Sequence, residues 1–104
     1  MRLYLDDARN TPEGWVRAYT ASEAIALLKT GKVVEMSFDH DLGPDPAGNG
    51  NDVVVWIEEA VALHRFKPPR IMSVHSSNAT ASERMLLGIA SIQKIAKAKG
   101  LEME

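Results

Sequence analysis

The sequence has no cysteine among its 104 residues, which excludes disulfide bonds, thiolate metal sites and cysteine nucleophiles. It also has no apolar run long enough to span a bilayer, and its first residues lack the hydrophobic segment of a secretion signal. The net charge of −2 provides no broad basic surface, so extended binding to duplex nucleic acid is not expected. These absences predict a cytoplasmic protein that does not bind membranes.

The composition that remains is typical of a globular protein, with 45% hydrophobic and 25% charged residues. The length is near the common domain size and is sufficient to bury a core. We therefore predict a single domain over residues 1–104. A glycine-rich stretch at residues 43–50 lacks the spacing of a phosphate-binding P-loop, which excludes that class of nucleotide site.

Three apolar runs, each typical of a buried strand, end in ionisable or polar side chains. The runs are Met1–Leu5, followed by Asp6 and Asp7; Val33–Phe38, followed by Asp39, His40 and Asp41; and Arg70–Val74, followed by His75 and Ser76. Parallel strands in open α/β sheets present functional residues at their shared carboxyl edge. The pattern therefore predicts one site at that edge.

Helix signals alternate with these strands. A fourth run, Trp15–Tyr19, has β-favouring residues and is predicted to be an edge strand. Capping-box spacings predict helix starts at Thr20 and Thr80, and Asn51 or Asp52 is expected to cap a helix between them. Right-handed crossovers then favour an α/β fold with a parallel sheet of about four strands in the order 2-1-3-4 and helices on both faces.

The acids at the strand ends are candidate metal ligands. Asp6, Asp7, Asp39 and Asp41 offer hard oxygen atoms, which are the ligands that Mg²⁺ or Mn²⁺ prefers. Crowded carboxylates repel one another unless a cation lies among them or some are protonated. A solvated turn or a helix cap is the commoner role of adjacent aspartates, but two acidic strand ends at one edge favour a metal site.

Polar residues at the same edge are candidates for phosphate chemistry. His40 and His75 are expected to face one pocket, where imidazoles suit general base and general acid roles around a phosphate ester. The alternative is that either histidine only orients a carboxylate or coordinates the metal. Arg9, Ser76 and Asn78 are candidates for holding a phosphate. Their alternatives are an ordinary surface ion pair for Arg9 and simple helix capping for the other two.

In these motifs the chain resembles the response-regulator receiver superfamily, and within it the cyclic-phosphate processing receiver domain. The resemblance rests on Leu5-Asp6-Asp7-x-Arg9, Ser37-Phe38-Asp39-His40-Asp41-Leu42-Gly43 and His75-Ser76-Ser77-Asn78, and it extends over about residues 2–90. It implies a truncated, receiver-like (flavodoxin-like) three-layer fold. It also implies Mg²⁺ binding by the acidic pair after the first strand, a phospho-accepting aspartate at Asp39 and processing of a cyclic phosphate.

Two departures from ordinary receivers bear on function. A loop at residues 8–14 is expected in place of the first receiver helix, and a fifth strand with the signalling lysine is expected to be absent. Ordinary phosphorelay signalling is therefore disfavoured. The additional histidines at the site favour chemistry instead.

The leading hypothesis is a metal-dependent phosphoesterase that opens or hydrolyses a cyclic phosphate on a nucleotide or an RNA end. The acids would hold the metal, the histidines would transfer protons, and either water or Asp39 would attack phosphorus. The alternative is a non-catalytic receiver-like module for signalling or for binding a small phosphorylated ligand, with Asp39 as the phospho-acceptor. A structural protein with a vestigial acidic site is a third, weaker hypothesis.

Overall fold

Four short strands and three helices make up the domain. The computed structural model describes residues 1–44 and 46–103. In chain order the elements are β1 (Arg2–Leu5), β2 (Val16–Ala18), α1 (Ala21–Leu28), β3 (Glu35–Phe38), α2 (Gly50–His64), β4 (Ile71–Val74) and α3 (Ala79–Lys99). The strands form one parallel sheet in the order β2-β1-β3-β4, which confirms the predicted sheet, its strand order and the receiver-like α/β class.

The register of the sheet brings the carboxyl ends of the strands level with one another. Leu5 of β1 lies opposite both Ala18 of β2 and Phe38 of β3, and Phe38 lies opposite Val74 of β4. The residue after each strand is therefore at the same edge of the sheet.

All three helices lie on one face of the sheet, whereas the sequence predicted helices on both faces. The connections from β2 to β3 and from β3 to β4 cross the sheet in the same direction, so right-handed crossovers put α1 and α2 on the same side. The α2 helix packs against both α1 and α3. Among residues 1–44 and 46–103 no helix covers the other face, so the fold has two layers where three were expected.

The core lies between the sheet and the helices. Leu3, Leu5, Met36 and Phe38 are fully buried and cluster with the apolar faces of the helices. The residues that alternate with them, including Tyr4 and Ser37, point to the opposite face of the sheet because successive side chains of a strand alternate. The connection from β1 to β2 is a loop, as predicted.

The second and third helices each begin about one half-turn before the predicted position. The α2 helix is capped by Asn49, which exchanges hydrogen bonds with Asp52 in a capping box. The α3 helix is capped by Asn78, and Thr80 lies inside its first turn. The α1 helix begins at the predicted cap, Thr20. Within the two described segments, no helix combines the length and the apolar character that a membrane span requires.

Candidate functional site

Three side chains meet at the carboxyl edge of the sheet. Asp6, Asp39 and His75 directly follow β1, β3 and β4, and each offers a ligand atom that lies within 4.8 Å of the other two. Two backbone hydrogen bonds extend the sheet by one residue. The N–H of Asp39 donates to the carbonyl of Leu5, and the N–H of His75 donates to the carbonyl of Phe38, each with an N···O distance of 2.9 Å. The aligned strand ends therefore determine the backbone positions from which these three side chains extend.

Asp6 is fully buried, and both of its carboxylate oxygens accept hydrogen bonds. Oδ1 accepts from the backbone N–H groups of Ala8 at 2.8 Å and Arg9 at 2.9 Å, and Oδ2 lies 3.0 Å from Nε2 of His75. Burial acts to raise the pKa of Asp6, but these hydrogen bonds together lower the pKa by more. The result is a pKa below the usual range, so Asp6 is a fixed negative charge.

Asp39 lies beside that charge and is half-buried. Its Oδ1 accepts a hydrogen bond from the backbone N–H of His40 at 2.8 Å. Burial raises the pKa of Asp39, and repulsion from Asp6 raises it further. The hydrogen bond from His40 lowers this pKa but by less, so the pKa of Asp39 lies above its usual value. A bound cation would relieve this repulsion.

The His75 ring is held from three directions. Its Nε2 contacts Asp6, its Nδ1 lies 2.6 Å from Oγ of Ser37, and its face stacks on the ring of Tyr4 with centroids 4.4 Å apart and planes at 4°. Tyr4 in turn meets the edge of Trp15 at 6.1 Å. Both ring nitrogens are therefore engaged, so the imidazole is fixed in place.

Ser37 and Tyr4 are functional-site residues that were not among those predicted from the sequence. A signal for them exists, because Tyr4 pairs with Ser37 in the register of β1 and β3, and both point to the open face of the sheet. His75 continues the same side of β4 by alternation, so the three residues share one face.

His40 and Asp41 form a second, more exposed pair. Nδ1 of His40 lies 3.0 Å from Oδ1 of Asp41, whose side chain is 78% exposed. Asp7 is also exposed, and its carboxylate extends towards Gly43 in the loop after β3. Among the residues that the structure describes, neither Asp7 nor Asp41 belongs to the group formed by Asp6, Asp39 and His75.

The three residues predicted to hold a phosphate have different surroundings. Arg9 bridges two parts of the site, because its Nη1 donates to the carbonyl of His75 and its Nε lies 4.0 Å from Oδ2 of Asp6. Ser76 accepts a hydrogen bond from the backbone N–H of Asn78, and Oδ1 of Asn78 caps α3. Asn78 thus performs the capping role that was the alternative for it, while Arg9 belongs to the site.

The family model described as the cyclic-phosphate processing receiver domain matches residues 1–91. The chain belongs to this family. The match confirms the resemblance predicted from the sequence. It includes all four strands of this receiver domain and every residue of the site described above. No curated protein and no solved structure matches the chain.

Proposed function

We propose that this receiver domain is a phosphoesterase that opens or hydrolyses a cyclic phosphate on a nucleotide or an RNA end. The observation that carries the proposal is the convergence of ligand atoms from Asp6, Asp39 and His75 within 4.8 Å of one another. The family description supports the cyclic phosphate as the substrate class. The added element of the proposal is a divalent metal held by these three residues.

The residues present fit a divalent metal in their chemistry and their charge. Two carboxylates and one imidazole form the donor set, and repulsion between Asp6 and Asp39 leaves a negative site that a cation would neutralise. Carboxylates suit Mg²⁺ and Mn²⁺, and the imidazole shifts the preference towards Mn²⁺. When bound, the metal would supply positive charge to stabilise the negative charge that develops on the phosphoryl oxygens.

The two histidines have different proposed roles. Nδ1 of His75 can donate its hydrogen to Oγ of Ser37, and in that tautomer Nε2, which is directed at Asp6, has the lone pair that would hold the metal beside the Asp6 carboxylate. In His40, a hydrogen bond from Nδ1 to Asp41 would select the tautomer whose Nε2 accepts a proton. His40 is therefore the proposed general base, and its protonated form would return the proton to the leaving oxygen.

Arg9 is the proposed anchor for the phosphate. Its side chain is 46% exposed, yet its guanidinium reaches both Asp6 and the carbonyl of His75. A guanidinium at this position can donate two parallel hydrogen bonds to phosphate oxygens. The hydroxyl of Ser76 and the first N–H groups of α3 lie beside His75 in sequence and would complete the anion site.

The test combines metal binding with turnover. Titration calorimetry with Mn²⁺ or Mg²⁺ should show saturable binding that Asp39→Asn and His75→Ala each abolish. Hydrolysis of 2′,3′-cyclic nucleotides and of short RNAs with a cyclic-phosphate end should require the metal and disappear in the same variants. Glu83→Gln, an exposed carboxylate on α3, serves as the control and should change neither measurement.

Two results would overturn this proposal. Absence of metal binding would contradict the metal site. Metal binding without turnover, together with a stable acyl phosphate on Asp39 after treatment with a small phosphodonor, would identify the non-catalytic receiver-like module instead.

A further inference from the structure

A second site candidate lies at the far end of α2. A cavity of about 650 Å³ opens where α1 and α2 both end, and this volume is within the range of small-molecule pockets. The N-terminal residue of α2, Gly50, packs against the backbone of Asp39. On α2 the lining begins at Trp56, six residues after Gly50 or about 9 Å along the helix at 1.5 Å per residue, so the cavity is separate from the group formed by Asp6, Asp39 and His75, called the metal group below.

Two aromatic side chains form a wall of this cavity. The rings of Trp56 and Phe66 meet edge to face, with centroids 5.4 Å apart and planes at 69°. Both side chains are half-buried: they pack against the core on one side and line the cavity on the other. Because the two rings are steeply inclined to each other, such a pair offers a planar ligand ring the face of one ring and the edge of the other.

The polar lining of the cavity is predominantly cationic. Lys29, Arg65 and Lys67 contribute permanent positive charges, and Glu59 is the one carboxylate that the described residues place there. The protein as a whole carries a formal charge of −2, so this cluster runs against the overall balance. An anion would be drawn to this end of the molecule.

Basic residues at the carboxyl end of a helix also complement the helix dipole, which is the ordinary explanation for them. That explanation does not account for the backbone of Arg65. This residue ends α2 in the left-handed conformation, with φ of 55°, where glycine is the usual choice. The left-handed conformation strains any residue with a side chain, and here that side chain is a guanidinium that lines the cavity.

We infer that this cavity binds a nucleoside monophosphate, with the base against Trp56 and Phe66 and the phosphate near Arg65 and Lys67. The aromatic wall would contact the base, the cationic side chains would neutralise the phosphate dianion, and the cavity is large enough for both groups. The inference does not depend on the proposed phosphoesterase activity, because the cavity shares no residue with the metal group.

The experiment is titration calorimetry of the full chain with adenosine monophosphate in the presence of a chelator. Adenosine alone and inorganic phosphate alone are the two comparison ligands. We expect saturable binding of the nucleotide that is at least about tenfold tighter than that of either part, because each part makes only one of the two contacts. Equal binding of inorganic phosphate would reduce the site to a nonspecific cluster of cations and overturn the inference.

Arg65→Gly is the decisive variant, because it removes the guanidinium and also relieves the left-handed strain. It should melt at or above the temperature of the wild type and bind the nucleotide about tenfold more weakly. Lys67→Glu should weaken binding similarly, whereas Lys94→Glu, an equal charge change on the exposed side of α3, should not. Asp39→Asn should leave binding unchanged. Binding that survives Arg65→Gly but is lost in Asp39→Asn would place the nucleotide in the metal group and refute the second site.

Discussion

Nε2 of His75 lies 3.0 Å from Oδ2 of Asp6, although the two residues are 69 positions apart in the chain. They follow β4 and β1, which are not neighbours in the sheet, since β3 lies between them. The contact therefore connects the outer and inner strands across the end of β3, where Asp39 is located.

The first prediction concerns the buried carboxylate. Asp6→Ala removes the acceptor for two backbone N–H groups and for His75, and each unsatisfied group costs about 1–3 kcal/mol. We expect the free energy of unfolding, measured with urea, to fall by about 3 kcal/mol. Asp7→Ala is the matched control. Asp7 is the exposed neighbour of Asp6, so its substitution should change the free energy of unfolding by no more than about 0.5 kcal/mol. Equal losses in both variants would contradict the assigned hydrogen bonds.

A second prediction is that Asp39→Asn stabilises the metal-free protein at neutral pH. Because burial and repulsion from Asp6 raise the pKa of Asp39, its contribution to stability is favourable below the unfolded-state pKa and is lost as pH rises through the folded-state pKa. The uncharged variant avoids this loss. Its advantage in melting temperature should shrink on acidification as Asp39 takes up its proton. Thermal melts with a chelator across this pH range test the sign, and a less stable variant at neutral pH would refute it.

The pKa of Asp6 is shifted in the opposite direction, which gives a third prediction. A lowered pKa contributes stability above the unfolded-state pKa, and that contribution is lost as pH falls through the folded-state pKa. The stability difference between the wild type and Asp6→Ala should therefore narrow in acid. Urea titrations at neutral and acidic pH measure this difference. If the stability difference between the two proteins grew in acid, the pKa of Asp6 would be raised by folding and not lowered.

Gly50→Ala is expected to disrupt the site by displacing the backbone of Asp39. An added Cβ would overlap the carbonyl oxygen of Asp39 and lie 3.0 Å from Sδ of Met85. Alanine favours helices more than glycine does, but overlap with backbone cannot be relieved by a side-chain rotation, so we expect a loss of about 3 kcal/mol. Val55→Ala in the same helix, where the side chain is exposed, is the control. Chemical denaturation of both variants tests this, and an unchanged Gly50→Ala protein would exclude the close approach.

The last prediction addresses the orientation of His75. Ser37→Ala removes the hydroxyl 2.6 Å from Nδ1, which should cost about 1 kcal/mol and leave the ring tautomer less strictly defined. Ser73→Ala is the control, since Ser73 pairs with Ser37 in the sheet but is exposed. Nitrogen chemical shifts of the His75 ring, measured by NMR, report the tautomer. Identical shifts in the wild type and Ser37→Ala would show that Asp6 and Tyr4 alone orient the ring.

The sequence was sufficient to predict the strands and the edge at which they meet. Apolar runs with acids or histidine directly after them mark both the strand and its carboxyl end, so Asp6, Asp39 and His75 could be placed together. The sequence did not show that Asp6 and Asp7 have different roles. Both are aspartates after the same strand, and the difference arises because successive side chains point in opposite directions. The structure buries Asp6 and leaves Asp7 exposed.

Other features depend on packing that no local pattern records. Ser37 is one polar residue in an apolar run, and only the pairing of β3 with β4 brings it to His75. The single helical layer follows from the loop that replaces a helix between β1 and β2. The loop itself could be predicted from the sequence, but the number of layers depends on the direction in which each connection crosses the sheet.

The strand order also has a consequence for the assembly of the protein during synthesis. Within this sheet, β1 leaves the ribosome before the other three strands, yet it occupies an inner position and is hydrogen-bonded on both edges by strands that are made later. The last of the three converging residues, His75, follows the final strand. A nascent chain therefore carries Asp6 and Asp39 without their third partner until translation has passed His75. The three side chains meet only once the whole sheet has closed, so the proposed metal binding, measured on nascent chains of increasing length, would report the completion of folding.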